Sequence, residues 1–149
     1  MVVSELVFVD TNVLLYEWDT VVVEKQERAA EWMLRLFEHR TGRLSFQVLV
    51  EFYRGATQKL KRPVAPDVAA EYVRTFLPWD PLPIDAAILD GAWRAQKRFK
   101  LAWWDALILA AAQQARCRTL LSEDFQTGQQ FDDVTVVNPF ATAPPDSSR

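Results

Sequence analysis

Cysteine and histidine are almost missing from this 149-residue chain, with Cys117 and His39 each the only one of its kind. A single thiol excludes an intrachain disulfide and agrees with a reducing compartment, the cytoplasm. The same scarcity leaves no set of ligands for zinc and counts against a histidine-based catalytic triad. Glycine occurs four times, and no G-x-x-x-x-G-K loop is there to cradle phosphate. No apolar run approaches the roughly 18 residues of a membrane span. The opening MVVSELVF lacks the basic region and cleavage site of a secretory signal. Positive charge is not in excess either: 17 Lys and Arg stand against 20 Asp and Glu, a net −3. A broad basic face for duplex nucleic acid is therefore not expected, although a local basic patch remains open.

What is present is an ordinary globular balance, half hydrophobic and a quarter charged. A chain of this length suits one domain that buries about 70% of its unfolded surface. The first apolar run, Leu6 to Val9, reads as a strand buried on both faces, as in a parallel sheet. Residues 24–38 place Ala29, Trp32, Met33, Leu36 and Phe37 at helical spacing. The stretch 41–46 reads as a turn and strand, 47–60 as a helix, and about 66–77 as another. PWDPLPID allows only a short extended piece between its prolines. Helices follow over 85–99 and 103–115, and strands over 118–122 and 134–138. Strands alternating with helices predict a three-layer α/β/α sandwich around a central parallel sheet, one domain over 1–140. The tail 141–149, ATAPPDSSR, is expected to fray.

Asp10 follows the first strand directly, although Asp forms strands poorly and is costly to desolvate. Ligands of open parallel sheets bind beyond the carboxyl ends of strands. Asp10 lies at such an end, Glu123 and Asp124 follow the strand TLLS, and Glu51 lies early in the helix after the second strand. Asp105 shares a helical stripe with Leu109 and Ala112 and should face the sheet. Each acid also has an ordinary explanation. Asp10 can be a helix N-cap, Asp105 can complement a helix dipole, Glu51 can be a surface charge, and Asp124 can be turn chemistry. Convergence on one rim is what favours a site.

Two like charges about 4 Å apart repel by about 4 kcal/mol at an effective dielectric near 20. Several carboxylates on one rim therefore need raised pKa values or a cation. No Lys or Arg lies within three residues of Asp10, Asp105 or Asp124. Oxygen ligands favour Mg²⁺, or Mn²⁺, and carboxylate-held Mg²⁺ suits phosphodiester cleavage.

With these residues in view, the chain resembles the PIN-domain ribonucleases, specifically VapC-type toxins of prokaryotic toxin–antitoxin pairs. The resemblance rests on FVDTNVLLY, SFQVLVEFYRGATQKL, LAWWDALILAAA and TLLSEDFQTGQ followed by VVNPF, in that order. It implies a Mg²⁺-dependent endoribonuclease whose acids map onto Asp10, Glu51, Asp105 and Asp124. The metal would be held by Asp10, Asp105 and Asp124, with water attacking phosphorus in line to leave a 5′-phosphate. Thr11 or Asn12 would order the first acid, Ser122 the last, and Glu123 is second choice for the place of Asp124. The resemblance also implies RNA as substrate, a homodimer, and a short antitoxin packed beside the acids. One departure is Ala102, which opens the WWDAL helix where relatives often carry a hydroxyl cap.

Basic residues gather in KLKR (59–62) and RAQKRFK (94–100), as a solvated face or as phosphate contacts. Of the tryptophans, Trp32 is expected in the core, Trp103 and Trp104 in the core or an interface, with one of them facing the groove beside Asp105 as the alternative, and Trp18 on a surface that receives a partner. Asp80, Asp85, Asp90, Asp132 and Asp133 read as caps and turns. Two rival readings stand: a catalytically silent PIN-like module that binds RNA or protein, and a haloacid-dehalogenase-like phosphatase.

Overall fold

The computed structural model describes residues 5–145. The apolar run after Leu6 forms β1 (Val7–Val9), and the chain turns at once into α1 (Thr11–Trp18) and α2 (Val23–His39). Then come β2 (Gly42–Arg43), α3 (Phe46–Gln58), α4 (Pro66–Arg74), a 3₁₀ turn (Leu77–Trp79), α5 (Ala86–Phe99) and α6 (Trp103–Gln114). The chain closes with β3 (Thr119–Leu121), β4 (Gln130–Phe131) and β5 (Val134–Val137). The sheet order is β2-β1-β3-β5-β4, parallel except for β4. This is an α/β/α sandwich. Phe8, Val9, Leu120, Leu121 and Val136 are buried in its sheet, which explains why these strands are too apolar to face water. Around the sheet, α1 packs on α2 and α3, α3 on α4, and α5 pairs with α6, which lies against β3.

Several boundaries differ from the expectation. The strand expected over 41–46 shrinks to Gly42–Arg43, because Ser45 caps α3 by accepting from Val48 N at 3.4 Å. Leu44 and Ser45 still pair with the extended piece at Leu82: Phe46 N donates to Leu82 O (2.9 Å) and Leu82 N to Leu44 O (3.1 Å). The helix expected to reach about 77 stops at Arg74 and tightens into the 3₁₀ turn at Pro78. Two elements were not foreseen. One is α1, hidden because its first residues are site residues; the other is β4, an antiparallel edge strand joined to β5 through Asp132, which has φ 55°. Trp32 is core as expected, 4% exposed, and its indole N–H donates to Thr142 O at 2.9 Å. Residues 146–149 of the predicted tail lie outside the described residues.

At Gly42 the edge strand runs against a ring. An added Cβ would fall 2.3 Å from Trp79 Cη2, and Trp79 is itself packed on Phe37 and Phe76.

Candidate active site

Strand register brings the site together. Val9 lies opposite Leu121 in the parallel β1–β3 pair, so the next residues, Asp10 and Ser122, leave the sheet side by side. Asp10 N donates to Leu121 O (3.0 Å) and Ser122 N to Val137 O (3.0 Å), which carries the ladder one residue further at both. The neighbours of β1 are β2 on one side and β3 on the other. The rim between β1 and β3 is thus the switch point where such sheets bind ligands.

Asp10 is 4% exposed and fully engaged. Its Oδ1 accepts from Thr11 N (2.7 Å), which caps α1; its Oδ2 accepts from Ser122 Oγ (2.7 Å) and Asn12 Nδ2 (3.3 Å). The N-cap reading of this residue holds, and the same carboxyl stands at the rim between β1 and β3. Asn12 also donates to Ser122 Oγ (3.2 Å) and accepts from Glu123 N (3.1 Å), while Asp124 N donates to Ser122 Oγ (3.0 Å). These bonds fix the loop after β3 against the start of α1.

Glu51 joins from α3. Its Oε1 accepts from Thr11 Oγ1 at 2.8 Å and its Oε2 from Gln47 Nε2 at 3.4 Å. Gln47, buried one helical turn earlier, also donates to Trp104 O (3.4 Å) and so ties α3 to the first turn of α6, where Asp105 sits. Sequence reasoning missed Gln47; its position four residues before Glu51 was the available signal. Ala102 opens α6 without a side-chain cap. The stripe expected on α6 is absent, because every residue from Ala106 to Ala112 is buried. Asp105 stands half-buried at the mouth of that enclosed helix.

Charge links what hydrogen bonds do not. Burial raises the Asp10 carboxyl to about 7; hydrogen bonds from Ser122 and Thr11 oppose this, and the charges of Asp124 and Glu51 add to it. Asp105 is also raised, by burial first and then by Asp124 and Glu51. Among the described residues the ion pairs are Lys25–Glu123, Arg28–Glu31, Arg74–Glu71 and Arg98–Asp132, and none reaches these four acids. An all-oxygen, uncompensated set fits a hard divalent cation in its chemistry. In the conformation described, no group of three His, Cys, Asp or Glu residues among the described residues is gathered to hold one.

The remaining sequence-predicted features sort plainly. The Glu123 carboxylate is bound by Lys25, a residue sequence reasoning did not single out. In the second basic cluster Arg98 is held by Asp132 at 2.8 Å. In the first, Arg62 donates to Thr20 Oγ1 at 3.3 Å. Trp103 stacks on Trp93, with centroids 6.2 Å apart, and Trp104 is exposed. Trp18, expected on a surface that receives a partner, is half-buried and edge-on to Tyr72. Asp85 caps α5 through Ile88 N (3.0 Å), and Asp80 and Asp132 take left-handed turn conformations.

No curated protein matches the chain. A solved structure described as a toxin–antitoxin complex from Klebsiella pneumoniae shares the fold, with a TM-score of 0.56 and 19% identity over 89% of this chain and 97% of that one. The profile of the PIN domain matches residues 7–134. With its β1/β3 rim, its acids and that match, the chain belongs to the PIN domain family.

Proposed function

We propose that this protein is a metal-dependent endoribonuclease and the toxin of a toxin–antitoxin pair, acting in the cytoplasm. The observation that carries the reading is Asp10: a buried carboxyl at the switch point, held by three donors, under the charge of further acids with no Lys or Arg paired to them among the described residues. Such an arrangement is costly to keep unless a cation relieves it. Asp10, Asp105 and Asp124 are the residues that would hold Mg²⁺ or Mn²⁺; the first is buried, the second half-buried and the third exposed. When bound, the ion would polarise water and neutralise charge on a phosphodiester. The chain's own part is rigidity: Ser122 and Asn12 lock the Asp10 rotamer, and Thr11 with Gln47 aims the Glu51 carboxylate at the space beside it, to orient water or hold a second ion.

The likeness to a toxin–antitoxin complex supports an antitoxin as partner. An apolar groove of about 370 Å³ between α3 and α4, lined by Phe46, Leu49, Val50, Tyr53, Ala70 and Val73, suits an apolar segment of that partner or a second copy of the chain. No helix of the described residues is long and apolar enough to cross a membrane.

The test is to incubate purified, partner-free protein with total cellular RNA in Mg²⁺ or Mn²⁺, with and without EDTA, and to map the ends. Cleavage that needs metal and leaves 5′-phosphates is expected, with none from Asp10→Asn. A silent binding module is the second reading, since no three His, Cys, Asp or Glu residues among the described residues are gathered to hold a metal; RNA left intact in both metals would favour it.

A further inference from the structure

Two acids stand side by side after β3, and the fold treats them differently. Asp124 is exposed and its charge acts on both Asp10 and Asp105. Glu123 turns its carboxylate to Lys25 in the first turn of α2. The Lys25 ammonium is seated with care. It lies 4.6 Å from the Tyr16 ring centroid and 5.1 Å from that of Phe140, and donates to Tyr16 Oη at 3.4 Å. Those two rings meet edge to face at 4.8 Å, and Phe140 N is in turn held by Asn138 Oδ1 at 2.9 Å. A surface ion pair needs no such seat: α1, α2 and the segment after β5 each contribute to it.

We infer that Lys25 is a positioning residue that sorts the two adjacent carboxylates, holding Glu123 away from the rim so that Asp124 alone faces Asp10 and Asp105. This rests on the metal-dependent reading above. A cation over two aromatic faces is attracted to both rings and loses mobility, which makes it a fixed counter-charge. With Glu123 neutralised there, the rim keeps one fewer uncompensated charge. Removing Lys25 would free a carboxylate next to Asp124, and like charges at that range interact by an amount visible in binding.

The consequence has opposite signs for the two ligands of the site. In Lys25→Met, the added negative charge tightens Mn²⁺ binding about threefold by calorimetry, and raises KM for RNA about threefold with kcat less affected. Both changes return to wild type in Lys25→Met/Glu123→Gln, and Lys25→Arg stays near wild type. General damage to the loop would weaken both ligands together and would not be rescued by a second substitution. A wild type that binds no Mn²⁺ removes the functional reading and this inference with it. A wild type that binds Mn²⁺, beside a Lys25→Met whose affinity is unchanged, weaker, or not restored by Glu123→Gln, overturns the sorting role alone.

Discussion

Ser122 Oγ donates to Asp10 Oδ2 at 2.7 Å, across 112 residues of sequence, and both groups are buried. This is the shortest link between β3 and the acid that ends β1, and it exists because the register places the two residues side by side. Ser122→Ala leaves Oδ2 with only the longer Asn12 bond and removes the acceptor of Asp124 N. A buried acceptor that loses a donor costs about 1–3 kcal/mol. The expected outcome is a loss of that order in urea unfolding and about a tenfold fall in cleavage, because the Asp10 carboxylate and the backbone at Asp124 lose their common tether.

Asp10 also sets a pH signature. Its carboxyl is raised from 3.8 to about 7 in the fold, with burial the main cause. Between those two values the unfolded chain has released a proton that the folded chain still holds, so folding stability falls as pH rises from about 4 to 7. A shift of this size corresponds to as much as about 4 kcal/mol. Urea unfolding in EDTA should show the decline in wild type, and Asp10→Asn should reduce it to the part that the raised Asp105 and Glu17 carboxyls supply. Mn²⁺ should reverse the trend, since binding needs the ionised form and its stabilisation grows as pH approaches 7.

The parts of this arrangement that could be read from sequence were those with local causes. Leu6 to Val9 ending on an acid predicts a buried strand and a rim, and the ends of α5 and β5 follow their caps and apolar runs. The missing parts are non-local. Thr11–Trp18 reads as the continuation of a motif, yet its helix is started by Asp10, whose side chain caps it while also facing the site. Two-residue strands such as β2 and β4 carry no period, because a neighbouring backbone makes them strands. Gln47 and Lys25 reach residues 57 and 98 positions away; the i,i+4 spacing to Glu51 hints at Gln47, but no spacing in the sequence announces Lys25. On α6 the expected stripe does not stand out for a physical reason: Leu109 and Ala112 are buried, but so is every other residue from Ala106 to Ala112, so burial marks no single face.

Gly42 tests how the β2 edge is built. Any Cβ there meets the Trp79 ring at 2.3 Å, and Phe37 and Phe76 at 4.8 and 4.9 Å from that ring limit its escape. Overpacking of this kind costs about 1–3 kcal/mol. Gly42→Ala should lower the melting temperature accordingly. It should leave Mn²⁺ affinity unchanged, because β2 contributes none of the site's side chains.

Glu51 reaches the site through Thr11, whose hydroxyl donates to its Oε1 at 2.8 Å while the Thr11 backbone N–H serves Asp10. Thr11→Val keeps the backbone bond and nearly the same volume but deletes the hydroxyl, so it separates the two acids' supports. Asp10 stays capped; Glu51 keeps only the 3.4 Å contact from Gln47. A carboxylate free to swing loses orientation more than affinity, so kcat should fall about tenfold with KM little changed. Two changes acting on one group are not additive. Glu51→Gln in the Thr11→Val background should therefore cost much less than Glu51→Gln alone. Full additivity would mean that the hydroxyl serves α1 and not the acid.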